Sequence, residues 1–228
     1  MAHYKRITKR EDIKGPDEFV GFWTKAYHWI DDRKEEAVKA VVGVVLLVVV
    51  IFAAVGYKQN RDARASAELF KILKDAPRVD DDQFANGTGK VQDALKGYVE
   101  SYGSTRNGRI GLLYEANYVY HDGKSPDAAE KLYKQITDGG QRDFVAQLAA
   151  LGLASCYQNQ GKYDAAVSTL EKFRGDSSFK EEMDFMVAHN FELSKNKEGA
   201  LKEYKQFLSK YPASKNLNAV KEGIARLS

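Results

Sequence analysis

The chain has 228 residues, 43% apolar and 29% charged, enough for one packed domain with additional segments. Its formal charge of +3 is close to balance, and no clustered basic excess marks a nucleic-acid surface. A single cysteine, Cys156, excludes an internal disulfide and a cysteine-based zinc site, and four prolines among abundant Ala, Leu, Lys and Glu predict an all-α fold.

The first segment, residues 1–36, carries a basic "YKRITKR" and then "PDEFVGFWTKAYHWIDD". Phe19, Phe22, Trp23, Ala26 and Ile30 recur at i, i+3, i+4, i+7 and i+11, one face of a helix that Pro16 can start. Both tryptophans, Trp23 and Trp29, lie here. Aromatic rings beside an apolar span favour the headgroup layer, so Phe19, Phe22, Trp23 and Trp29 are predicted to sit at a membrane interface. The same stripe also suits docking on another membrane protein.

From Ala40 to Tyr57 the chain reads "AVVGVVLLVVVIFAAVGY" without a charge. At 1.5 Å per residue such a helix spans about 27 Å, close to the hydrocarbon thickness of a bilayer. Extension through Ala37 and Val38 completes a predicted transmembrane helix over 37–57. A buried core helix is the competing reading, but a soluble fold gives no reason for a run apolar on every face. A cleaved signal peptide fits poorly, because 39 residues precede the run and no small-x-small site follows it. Flanking charges nearly tie: Lys25, Arg33, Lys34 and Lys39 on one side, Lys58, Arg61, Arg64 and Lys71 on the other. The nine Lys/Arg in the first 39 residues favour a cytoplasmic N-terminus, with the larger part outside.

The charged "KQNRDARASAELFKILK" at Lys58–Lys74 reads as a helix continuing the span. It is expected to stack Leu69, Phe70 and Leu73 on the repeats that follow. The next stretch, "RVDDDQFANGTGK", reads as a loop. Its "GTGK" lacks the earlier glycine and the Ser/Thr of a phosphate loop, Phe84 and Val91 standing there. Asp80–Asp82 lack the alternate spacing and closing Glu of a calcium loop. His3, His28, His121 and His189 form no i, i+4 pair, and no Ser/His/Asp arrangement stands out. The residues predict no enzyme, no cofactor, no metal and no small-molecule substrate.

What recurs is a unit. "ALKGY" at Ala94, "AEKLY" at Ala129, "AVSTL" at Ala166 and "ALKEY" at Ala200 are spaced 35, 37 and 34 residues apart. A second small residue precedes three of them: Ala116, Ala154 and Ala188. Gly161 falls between Ala154 and Ala166, and Pro212 ends the last copy. Two helices joined by a short turn approach closely only where small side chains meet, and an aromatic four residues on fills the gap to the next pair. One pair cannot bury its own apolar stripe, so pairs stack. The first copy is degenerate, since twelve residues before Ala94 stands Asp82; its leading helix is expected at Asp62–Leu73. "SKNLNAVKEGIARLS" is expected to be a C-terminal cap helix. An irregular helical bundle is the bland alternative.

Over Arg109–Pro212 this pattern resembles the tetratricopeptide repeat family. That resemblance implies an α-solenoid of about three to four helix pairs across 58–228. Leading helices would line its concave face with Asn117, Tyr120, His121, Ser155, Gln158, Asn159, His189 and Glu192, a surface for other proteins. A single anchor near residue 40 followed by such repeats resembles the YfgM-type family of bacterial inner-membrane proteins. That resemblance implies an ancillary subunit at the Sec translocon, with a periplasmic solenoid and periplasmic chaperones as partners. An accessory subunit of a larger envelope assembly is the other expected class.

Overall fold

The computed structural model describes residues 21, 24–25, 27–29, 31, 33–74, 76–77, 84–123, 125–175 and 177–228, with side chains from residue 88 in the helix that begins at Phe84. Among the described residues, nine helices run between Lys34 and Leu227: α1 (Lys34–Lys74), α2 (Phe84–Tyr102), α3 (Arg106–Asp122), α4 (Pro126–Thr137), α5 (Phe144–Asn159), α6 (Tyr163–Phe173), α7 (Lys180–Leu193), α8 (Lys197–Lys210) and α9 (Leu217–Leu227). The described residues hold no strand. Contacts divide the chain into two compact units, Met1–Lys58 and Gln59–Ser228.

In the first unit, α1 begins with Glu35 and Glu36 in its opening turn, where carboxylates suit the helix dipole. Its apolar window has a mean hydropathy of 3.0, and none of it is covered by the other described residues. Among the described residues, Val41 to Val55 stand exposed on all faces. Trp29 is 55% exposed, with the Arg33 guanidinium 5.9 Å from its ring centre. Phe19, Phe22 and Trp23, with Ala26 and Ile30, lie outside the described residues.

In the second unit, each helix from α2 to α9 packs on the next, and α3 also meets α5 as α7 meets α9. Three-residue connections such as Gln160–Lys162 force antiparallel neighbours. Caps set the starts: Thr105, Asp143 and Asn196 accept hydrogen bonds from the amides of Gly108, Ala146 and Gly199. Gly123 and Gly161 turn the chain at φ 69° and 71°, a region nearly free of penalty only for glycine. Lys195 makes the corresponding turn in the last pair at φ 62°.

The small residues sit as the pairing requires: Ala116, Ala129, Ala154, Ala166, Ala188 and Ala200 are all fully buried. Ala94 departs from the expected pattern and is exposed. In this first pair α1 supplies the small residue, Ala65, which is fully buried, and the larger Leu95 takes the inward place on α2. "FANGTGK" is also not a loop. It opens α2, because Thr88, Val91, Leu95 and Tyr98 continue one inward face. Phe70 is the third departure: Leu69 is buried and Leu73 half-buried, but Phe70 points outward, 70% exposed.

Tyrosines tie neighbouring pairs together. Gly111 on α3, Gly152 on α5 and Gly223 on α9 each receive a ring from the preceding second helix. A Cβ built there would lie 2.4 Å from Tyr98, 2.4 Å from Tyr133 and 2.7 Å from Tyr204. The hydroxyl of each tyrosine reaches back to the leading helix of its own pair. Tyr98 donates to the Ala65 carbonyl at 3.0 Å, Tyr133 to Asn117 at 2.6 Å and Tyr204 to Glu192 at 2.6 Å. Each ring therefore fastens three helices.

Candidate protein-binding face

The leading helices α3, α5, α7 and α9 carry polar side chains that meet in succession. Asn159 Nδ2 donates to the Tyr120 hydroxyl at 3.0 Å, joining α5 to α3. Asn190 Nδ2 donates to Gln158 Oε1 at 3.2 Å, joining α7 to α5. Arg226 Nε donates to Glu192 Oε1 at 2.9 Å, joining α9 to α7. Three polar links thus join the four leading helices in succession.

The α5–α7 link replaces a tyrosine. In the unit ending in α6, the residue four after the small alanine is Leu170, which has no hydroxyl, and α7 has no glycine notch. Leu170 is fully buried, and the polar tie runs directly between Gln158 and Asn190. Asn190 is itself fully buried, and its Nδ2 also donates to the Met186 carbonyl at 2.8 Å.

The eight residues expected on this face have different surroundings. Tyr120 and Asn159 are joined, Gln158 is held by Asn190, and Asn117 accepts from Tyr133. Ser155 turns back to the Leu151 carbonyl on its own helix at 3.0 Å. His121 stands edge-on to Tyr120 at 5.1 Å, and burial shifts its imidazole downward. His189 stacks on Phe185 at 6.1 Å and lies 3.6 Å from Glu192. Glu192 is a junction: the Arg226 guanidinium, then the Tyr204 hydroxyl, hold its carboxyl below the usual range, against the pull of burial.

Two other clusters bind the pairs to one another away from this row. Glu130 on α4 accepts from Lys134 at 2.6 Å and from Gln160 at 2.9 Å, with Lys162 at 3.6 Å. Asp184 on α7, only 4% exposed, gathers Tyr211 at 3.0 Å and Arg174 and Lys210 at 3.5 Å each. Arg174 also meets Glu203 at 2.9 Å. Cys156 is buried against the Glu130 side, and that burial pushes its thiol up to about 11, so it is not a poised nucleophile. Among the described residues, no group of three or more His, Cys, Asp or Glu is arranged to hold a metal ion.

Sequence reasoning missed Asn190, Arg226 and the glycine notches. One signal was present: Gly152 follows Tyr133, and Gly223 follows Tyr204, by the same 19 residues. Asp184 gave no such signal, because its partners come from two separate segments, at Arg174 and at Lys210–Tyr211.

No curated protein matches the chain. A family model described as a tetratricopeptide repeat-like domain matches residues 32–225, nearly the whole length. With paired helices, buried alanines at the crossings and aromatic ties between pairs, the chain belongs to the tetratricopeptide repeat-like domain family.

Proposed function

We propose that this chain is a membrane-anchored scaffold that holds other proteins along the row of leading helices. The observation that carries the reading is the series of polar links between successive leading helices, Tyr120 with Asn159, Gln158 with Asn190 and Glu192 with Arg226. A row of amides, a phenol and ionic groups offers alternating donors and acceptors to an extended polypeptide or a polar protein face. Asn117, Tyr120, His121, Ser155, Gln158, Asn159, His189 and Glu192 are the residues assigned to that contact. Repeat solenoids of this kind serve as binding surfaces because stacking creates a long face without a reaction centre.

The anchor in this proposal is the uncovered apolar stretch of α1. It crosses the bilayer once, with Trp29 and its neighbours at the cytoplasmic headgroups and the repeats in the periplasm of a bacterial cell. The finer form of the proposal makes the chain an ancillary subunit near the Sec translocon and periplasmic chaperones. Support for that form is the position of the anchor and the repeats behind it, as in the YfgM-type family.

The test is protease access in intact spheroplasts combined with alkaline extraction of the membranes. Digestion of the repeats from outside, with α1 retained in the extracted membrane, supports the proposal. Protection of the repeats removes the periplasmic assignment, and release of the chain by alkali removes the anchor.

A further inference from the structure

The chain enters the second unit at one edge of the repeats. Arg61 donates to the Ser101 carbonyl at 2.9 Å and Asn107 to the Asp62 carbonyl at 3.3 Å, so the entry lies at the α2–α3 turn. The same edge continues through the other turns that lead into α5, α7 and α9. Arg109 on α3 meets Asp143 before α5, the Phe144 and Phe179 rings lie 5.1 Å apart, and Lys215 before α9 reaches Glu182 on α7 at 3.7 Å.

Each turn on this edge carries an exposed cation: Arg106, Arg142, Lys180 and Lys215. Arg106 and Lys180 are the first residues of α3 and α7, and Arg142 and Lys215 directly precede the caps of α5 and α9. The helix dipole disfavours a cation at each of these places. The opposite edge is arranged otherwise. There α4, α6 and α8 open on Asp127, Asp164 and Glu198, whereas α3, α5 and α9 have no carboxylate in their first turn. Asp138 and Glu181 do share the cationic edge, but Asp143 and Glu182 are taken up by Arg109 and Lys215. Among the described residues, Arg106, Arg142 and Lys180 form no ion pair. Beside them Phe144 stands 58% exposed, an apolar ring at the rim of a charged edge.

We infer that this edge docks on the headgroups of an anionic bilayer, with the four cations on lipid phosphates and Phe144 entering the interface. The occupant follows from where the chain comes in. The apolar run ends at Tyr57, four residues before Arg61. Four residues span at most about 14 Å, so a bilayer that holds the run lies within that reach of the edge, however the two units are turned. Clustered Lys and Arg beside a membrane are drawn to anionic lipid, and aromatic rings favour the headgroup layer. The inference rests on the anchor proposed above and adds that the repeats lie against the membrane by this edge.

The test uses the full chain in a Cys156→Ala background, combined with vesicles by detergent removal. A fluorescent label is placed at Gln141→Cys on the cationic edge or at Asp164→Cys on the opposite edge, both exposed. The vesicles contain a lipid with a nitroxide on its headgroup as quencher. In phosphatidylethanolamine with phosphatidylglycerol, the label at 141 is expected to be quenched and the label at 164 to stay bright. Quenching at 141 is expected to be lost in high salt, in phosphatidylcholine alone, and on combining Arg106→Glu, Arg142→Glu and Lys180→Glu. Equal quenching at both positions, no quenching at 141, or quenching indifferent to salt and lipid charge would overturn the inference. Discrete protein adducts from 141 in native membranes, with no quenching in vesicles, would give the edge to a protein instead. Alkaline extraction of the vesicles separates the two readings. A retained chain without quenching at 141 sinks the docking alone, and a chain released by alkali yet quenched at 141 beforehand sinks the anchor alone.

Discussion

The Tyr133 ring lies over Gly152, where a single added Cβ would stand 2.4 Å from the ring. The helices α4 and α5 therefore meet at a distance that only a bare backbone permits. Tyr133 is buried and its hydroxyl donates to Asn117 on α3, so one side chain sets the spacing of three helices. Gly152→Val should destabilise the chain by about 2–3 kcal/mol through overpacking, as at other filled core sites. Thermal unfolding followed by circular dichroism checks this, and an unchanged midpoint would mean that the ring moves aside freely.

Tyr133→Phe keeps the ring and removes only the hydroxyl. The Asn117 carbonyl then loses its donor in a half-buried place. A loss of about 1 kcal/mol is expected, the usual net value of one hydrogen bond. Urea unfolding of the two tyrosine variants, Tyr133→Phe and Tyr204→Phe, should rank the second as the larger loss. Tyr204 donates to the carboxylate of Glu192, and bonds to charged groups are stronger.

These ties show what the sequence carries and what it hides. The period of the alanines marks the helix pairs, because small residues are needed wherever two helices cross. The last three pairs follow it, with Ala129, Ala166 and Ala200 all buried. The first pair breaks the pattern at Ala94, since Ala65 on the far end of a 41-residue helix does the same work. The charged run was expected to continue the apolar one, and α1 is indeed one helix over Lys34–Lys74, as backbone hydrogen bonding does not register the change of side-chain polarity. The polar row was legible only in part. Asn159, Gln158 and Glu192 could be placed by spacing on leading helices, but Arg226 comes from a helix whose sequence suggested only a cap. Asn190 was passed over because its buried neighbours masked it.

The turn at Lys195 adopts a left-handed conformation that Gly161 and Gly123 adopt in the preceding pairs. Lys195→Gly should therefore stabilise the chain. The relief of about 1 kcal/mol of backbone strain is offset in part by the added freedom of the unfolded chain. A rise of the unfolding free energy by a few tenths to about 1 kcal/mol is the expected outcome in urea titration.

Asp184 is nearly sealed and faces Tyr211, Arg174 and Lys210. Asp184→Ala leaves cationic groups without their acceptor, but Arg174 keeps Glu203 and is partly solvated. A cost of about 2–3 kcal/mol follows, below the full penalty for a stranded buried charge. Comparison of Asp184→Ala with Asp184→Asn by chemical unfolding checks that charge, and not volume, is responsible.

Glu192 has its carboxyl held low by Arg226 and Tyr204. A carboxyl depressed on folding contributes stability above its unfolded pKa and loses it as pH falls through the folded value. The unfolding midpoint should therefore drop on acidification below the ordinary glutamate range. Glu130, held low by Lys134, and Asp143, held low by Arg109 against burial, act in the same direction, and Glu115, raised by burial, acts against them. Glu192→Gln should flatten the profile without abolishing it. A variant profile parallel to that of the parent would show that Glu192 is not part of the linkage.

The most direct measurement is site-specific photocrosslinking in living cells, with the reactive group placed at Asn159 on the polar row and, separately, at Lys172 on the exposed side of α6. A scaffold that holds proteins along its leading helices gives adducts with discrete partner proteins from Asn159 and none of these from Lys172. Equal adducts from both positions, or adducts from Lys172 alone, would contradict a binding face built on that row.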